Sequence, residues 1–218
     1  MTGLLSHTRT YAVIDSILRK KNPPEPDTVS IVLASEVDER LNHTVGPSDY
    51  VRNDEWSEKV REHFQFNIQR MIDIAQSANA KILFVVPASN EKDCSPFKAD
   101  PADDSFETGQ RAFNTGDFET ARKAFRLAID QDICPLRAPS DFAQYIREVP
   151  ESDDVRVLDF ESDLRNLCRD EHGHEILGEE YFLDHVHPTI DAHRQLSRWL
   201  ISEMHDAGWL AAESIALK

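Results

Sequence analysis

The segment Phe182-Leu183-Asp184-His185-Val186-His187-Pro188 carries the clearest chemical signature in the chain. An Asp three residues before a His, followed by Pro and an amphipathic helix, puts a carboxylate and an imidazole on one short loop. The carboxylate can then orient the imidazole, or both can face a third group, which is how a hydrolytic His is held ready as general base. The competing reading makes Asp184 a cap for the following helix and His187 an ordinary loop residue. No nucleophile motif precedes the pair. The one Gly-x-Ser, Gly46-Pro47-Ser48, has no apolar strand ahead of it and reads as a turn.

A second set of candidates lies in Ala88-Ser89-Asn90-Glu91-Lys92-Asp93, the polar loop after an apolar run. Asn90 could donate from its side-chain amide toward an oxyanion, although an Asn after a strand is commonly a turn residue. Ser89 and Ser95 are hydroxyls that would become nucleophilic only on meeting His187. Lys92, Asp93, Lys98 and Arg137 could shape a pocket for a polar substrate, with exposed charge as the alternative for each. His172, His174, His185, His187 and His193 crowd the late chain, yet no pair has H-E-x-x-H spacing. His185 and His187 point opposite ways on an extended loop. No metal or other cofactor is therefore expected.

The elements that must position these groups show in the apolar spacing. Trp56, Val60, Phe64, Ile68, Met71, Ile72 and Ala75 predict a helix over 54–78 capped by Asn53 or Asp54. Lys81–Pro87 (KILFVVP) predicts a strand buried on both faces of a parallel sheet, and Asp154–Phe160 a second one. The loop leaving the carboxyl end of such a strand is where these sheets bind ligands. Residues 104–132 predict two short helices around Gly116-Asp117, with the small-residue spacing of a tetratricopeptide-type hairpin or of a generic helical hairpin. A last helix is expected over about 188–206, with Pro188 near its first turn. Towards the N-terminus the spacing predicts a helix over 4–20, a break at Asn22–Pro26, a short strand at Val29–Ala34 and a loop over 42–53.

Bulk properties narrow the field. The 218 residues suffice for one α/β domain, and a formal net charge of −16 repels phosphate backbones and anionic lipid. Nucleic acid is excluded as a partner on that ground, and no run is long enough for a membrane-spanning segment. Cys94, Cys134 and Cys168 show neither zinc nor disulfide spacing, which leans toward a reducing, cytoplasmic compartment.

The D-x-x-H-P block before a C-terminal helix resembles the last conserved block of the SGNH (GDSL-type) hydrolases. Further pieces resemble a subgroup whose domain carries tetratricopeptide-like helices: the Leu5–Tyr11 opening, VVPASNEKDCSPFK, the hairpin with GDFETARKAF, and FLDHVHPT. Together they span most of residues 4–206. The resemblance implies an α/β, three-layer flavodoxin-like parallel sheet. It also implies hydrolysis of an ester or acyl group on a small molecule or glycan without a metal, His187 being the general base and Asp184 its orienting partner. The family's G-D-S nucleophile block and G-x-N oxyanion block are missing from this chain. The expectation is thus an N-terminally truncated domain over 1–103 and 133–218, with 104–132 as an inserted hairpin. Such a domain would be catalytically incomplete, would self-associate through an uncovered apolar edge, and would contact substrate through Asn90, Lys92 and Arg137. The rival is a non-catalytic module that binds a protein partner through residues 104–132.

Overall fold

Asn53 accepts a hydrogen bond from the Trp56 N–H, and this cap starts the longest helix among the described residues, α1 (Asp54–Ser77). The computed structural model describes residues 50–210. The sequence readings at 4–20, Asn22–Pro26, Val29–Ala34, 42–49 and Gly46–Ser48 lie outside the described residues. After α1 come β1 (Ile82–Val85), α2 (Ser105–Asn114), α3 (Phe118–Asp130), α4 (Ser140–Arg147), β2 (Val155–Leu158), α5 (Phe160–His172) and α6 (Ile190–Asp206).

The expected three-layer flavodoxin-like sheet is not what these residues form. Among the described residues there are six helices and a single two-stranded parallel sheet, and these residues are mostly helical. β1 and β2 pair in register from Ile82 opposite Val155 to Val85 opposite Leu158. The physical reason is segment supply: beyond 82–85 and 155–158 the described sequence carries 3.6-residue apolar spacing, which folds as helix rather than adding strands. Both faces of β1 meet core, but less deeply than expected. Phe84 is buried, whereas Ile82, Leu83 and Val85 are half-buried.

Alternation along β1 divides the core in two. Phe84 and Val86 pack with Ile68 and Ile72 of α1, Ala143 and Ile146 of α4, and Val155. Val85 and Ala88 instead join Phe160, Leu164 and Cys168 of α5, Leu177, Phe182, and Ala192 of α6. On β2, Arg156 bonds Glu203 of α6 at 2.8 Å from Nε. The D-x-x-H loop is thus rooted in the second cluster through Phe182.

The hairpin α2–α3 forms as its spacing predicts. Gly116 takes φ +80° at the turn and Asp117 caps α3 by accepting from the Thr120 N–H. Gly109 lets the helices meet, because a Cβ there would lie 2.7 Å from the Phe125 ring. Phe125, Ala121 and Ile176 form its own buried cluster, flanked by Phe106, Ala112 and Phe113.

Candidate functional site

The loop between Tyr181 and Thr189 is pinned at its base. Leu183 N–H donates to the His187 carbonyl at 2.8 Å and Thr189 N–H to the Tyr181 carbonyl at 2.8 Å. The cap of α6 is Thr189, which accepts from Ala192 N–H. Asp184 is therefore not the helix cap.

Its carboxylate is spent on the loop itself. Asp184 Oδ1 accepts from the backbone N–H of Val186 and of His187, both at 2.8 Å. Oδ2 lies 2.6 Å from His187 Nδ1. An ionised carboxylate only accepts, so the proton of that bond resides on Nδ1 and the lone pair is on Nε2. Burial pushes the Asp184 carboxyl up, but the two backbone N–H groups and the His187 ring outweigh it and hold the group below its ordinary value. The Asp184 side chain is 17% exposed and that of His187 is 72% exposed, so the base-bearing face of the ring opens to solvent. No described residue bonds to Nε2, and no described serine hydroxyl meets it.

The post-β1 loop packs directly against this one. Asn90 N–H donates to the His185 carbonyl at 3.0 Å, and His185 Nε2 lies 3.1 Å from the Ser95 carbonyl. His185 and His187 thus face different groups, as their spacing predicts. Asn90 is buried, and its side-chain oxygen accepts from Asp93 N–H at 3.0 Å in a local turn. Lys92 is engaged by Asp93 at 2.7 Å and Glu180 at 2.9 Å, with its ammonium over the Phe113 ring. Gly178 makes room for that group, since a Cβ would collide with Asp93 and Lys92. Arg137 is buried beneath the loop, and its Nη1 donates to the carbonyls of Asn90 and Cys94, each at 2.8 Å. Of the two hydroxyls in the loop, Ser89 is half-buried and Ser95 exposed.

The sequence reading missed what holds this loop in place. Glu91 is 2% exposed and takes a bidentate pair from Arg165, at 2.9 and 2.6 Å. Arg165 and Arg126 also bind Glu161, which Arg147 reaches from α4. Arg147 in turn pairs with Asp159 at 2.7 Å. A buried charge is retained only when compensated, and here three guanidiniums meet three carboxylates. The partners Glu91 and Arg165 are 74 residues apart, so no local pattern announces them.

Other nucleophile and ligand candidates are accounted for structurally. Cys168 donates to the Ile176 carbonyl at 3.6 Å, and burial pushes its thiol up to about 11, which disfavours thiolate. His174 packs edge-on against Phe113 and accepts Ile176 N–H at Nδ1, at 3.2 Å. His193 Nδ1 sits on the Pro188 carbonyl at 3.0 Å. Among the described residues no three His, Cys, Asp or Glu side chains converge as a metal site. No helix among them is long and apolar enough to cross a membrane.

Compared with protein-family models, curated proteins and solved structures, the chain matches none. What the described residues define is a mostly helical fold with one two-stranded parallel sheet and an oriented Asp–His pair on an exposed loop.

Proposed function

We propose that Asp184 and His187 are the general-base half of an SGNH-like ester or acyl hydrolase acting on a small-molecule or glycan ester. The 2.6 Å bond from His187 Nδ1 to Asp184, with Nε2 facing solvent, carries this reading. His187 Nε2 takes the proton of the attacking hydroxyl, whether a serine or a water, and returns it to the leaving alkoxide. Asp184 holds the ring in the productive tautomer and stabilises the imidazolium that forms. The test is p-nitrophenyl acetate turnover by the whole chain and by His187→Ala, with fluorophosphonate labelling to separate serine from water attack. A folded wild type without turnover, or a His187→Ala variant with undiminished turnover, refutes the proposal.

A second reading rests on another place. Arg122, Lys123, Arg126, Leu127, Asp130 and Arg165 line a groove of about 440 Å³ along α3. Leu127 is 47% exposed there, which suits contact with a protein partner. Phe125 is core and Phe118 packs on Phe113 and His174, so Leu127→Glu is the cleaner disruption. Absent turnover, together with a partner lost on Leu127→Glu, would favour this module over the hydrolase.

A further inference from the structure

Arg137 differs from the other arginines around the site. Only 3% of it is exposed, yet no carboxylate hydrogen-bonds to it. Its Nη1 is spent on two backbone carbonyls, while buried Nε and Nη2 meet no acceptor among the described residues. These two nitrogens lie on one edge of the planar guanidinium and present parallel N–H groups, the fork that matches the two oxygens of an oxyanion. The acidic groups nearest in charge are committed elsewhere. Asp132 accepts the backbone N–H groups of Phe97, Lys98 and Cys134, and Glu91 is held by Arg165. A buried cation and two buried donors without acceptors oppose folding, a feature that folded proteins retain for a reason.

We propose that the Nε–Nη2 edge of Arg137 binds an oxyanion, a carboxylate or a phosphate carried by the substrate of the Asp184–His187 site. Placement favours this partner. The loop after β1 touches both: the Asn90 carbonyl accepts from Arg137 Nη1 at 2.8 Å and the Asn90 N–H donates to the carbonyl of His185, which stands between Asp184 and His187, at 3.0 Å. An anion seated on the fork is shielded from water, which strengthens the bidentate pair. The substrate class is thereby narrowed to esters bearing a negatively charged group. This substrate role rests on the hydrolase reading; the anion site itself does not.

The test uses the intact chain. Arginine Nε–H signals are followed by ¹⁵N NMR during separate titrations with sodium acetate and with inorganic phosphate, the Arg137 signal being assigned in the wild type by through-bond correlation to its backbone. The expected result is a saturable shift of that one signal, with half-saturation at about 1 mM or below. The anion that saturates it shows whether carboxylate or phosphate is the match. No saturable shift, or an equal drift of every arginine signal, overturns the proposal, and this measurement on wild type stands even if Arg137→Lys fails to fold. A second arm compares kcat/KM for a neutral acetate ester and for one carrying a carboxylate or phosphate. The wild type is expected to prefer the anionic ester by about tenfold or more, and Arg137→Lys to lose that preference through KM. Anion binding without turnover of any ester leaves the site standing and removes the hydrolase reading. Turnover without discrimination removes the substrate role and leaves the hydrolase reading intact.

Discussion

Asn90 and His185 are joined backbone to backbone, the Asn90 N–H donating to the His185 carbonyl at 3.0 Å. That bond ties the loop after β1 to the loop before α6, and the carbonyl of the same Asn90 accepts from the buried Arg137.

Asp184→Asn preserves shape but replaces an acceptor-only carboxylate with an amide that can also donate. The His187 ring then loses both its enforced tautomer and its countercharge. Ester kcat is expected to fall on the order of 10⁴-fold, with a modest drop in melting temperature because the charged acceptor of the Val186 and His187 N–H groups is lost. Steady-state kinetics beside circular dichroism checks both.

The Asp184 carboxyl lies below its ordinary value because burial is outweighed by the Val186 and His187 N–H bonds and by the His187 ring. A depressed carboxyl contributes stability that is full above the unfolded value, about 3.9, and is lost as pH falls through the folded one. The Val186 and His187 amide resonances are therefore expected to titrate together, with a midpoint below about 3.9. A midpoint above that value contradicts the geometry.

Glu161 gives a larger effect. Burial alone would raise it, but Arg165 and Arg126 hold it down at about 2. Its stabilisation is complete above the free Glu value of about 4.3 and drains away as pH drops from there toward 2. Glu161→Gln strips a carboxylate from Arg126, Arg147 and Arg165 and is expected to cost about 3–5 kcal/mol at neutral pH. Urea denaturation at pH 7 and pH 3 should show the variant losing less on acidification than the wild type.

Gly109→Ala gains about 1 kcal/mol of helix propensity but drives a Cβ into the Phe125 ring, at 2.7 Å. Overpacking of that kind costs about 1–3 kcal/mol, so net destabilisation is expected. A rise in thermal midpoint would mean that α2 can shift away from α3.

Local features were the legible ones. The Asn53 cap and apolar spacing place α1 at 54–77 against the expected 54–78, and Gly116-Asp117 marks the turn between α2 and α3. The Asp184–His187 contact spans three residues and is equally local. The two strands were read in place, but their number was not, because pairing partners are set by tertiary supply and not by either segment. Lys92 shows the same limit: its spacing says nothing of Glu180, which closes its ion pair. Arg137 was visible as a charged residue near a loop, whereas its burial depends on packing from several segments.

The parallel pairing of β1 with β2 also orders events in time. Ile82 meets Val155 only after the whole stretch carrying α2, α3 and α4 has been drawn in, and closing so long a loop is entropically expensive. The α2–α3 hairpin, whose contacts are short in sequence, is free to condense first and shorten the span that remains. The Asp184–His187 hydrogen bond closes within its own turn, but the bond from His185 to Ser95 crosses 90 residues. On refolding, the pair should acquire its own geometry early, and the tie to Asn90 and Arg137 only as the last long-range contacts lock.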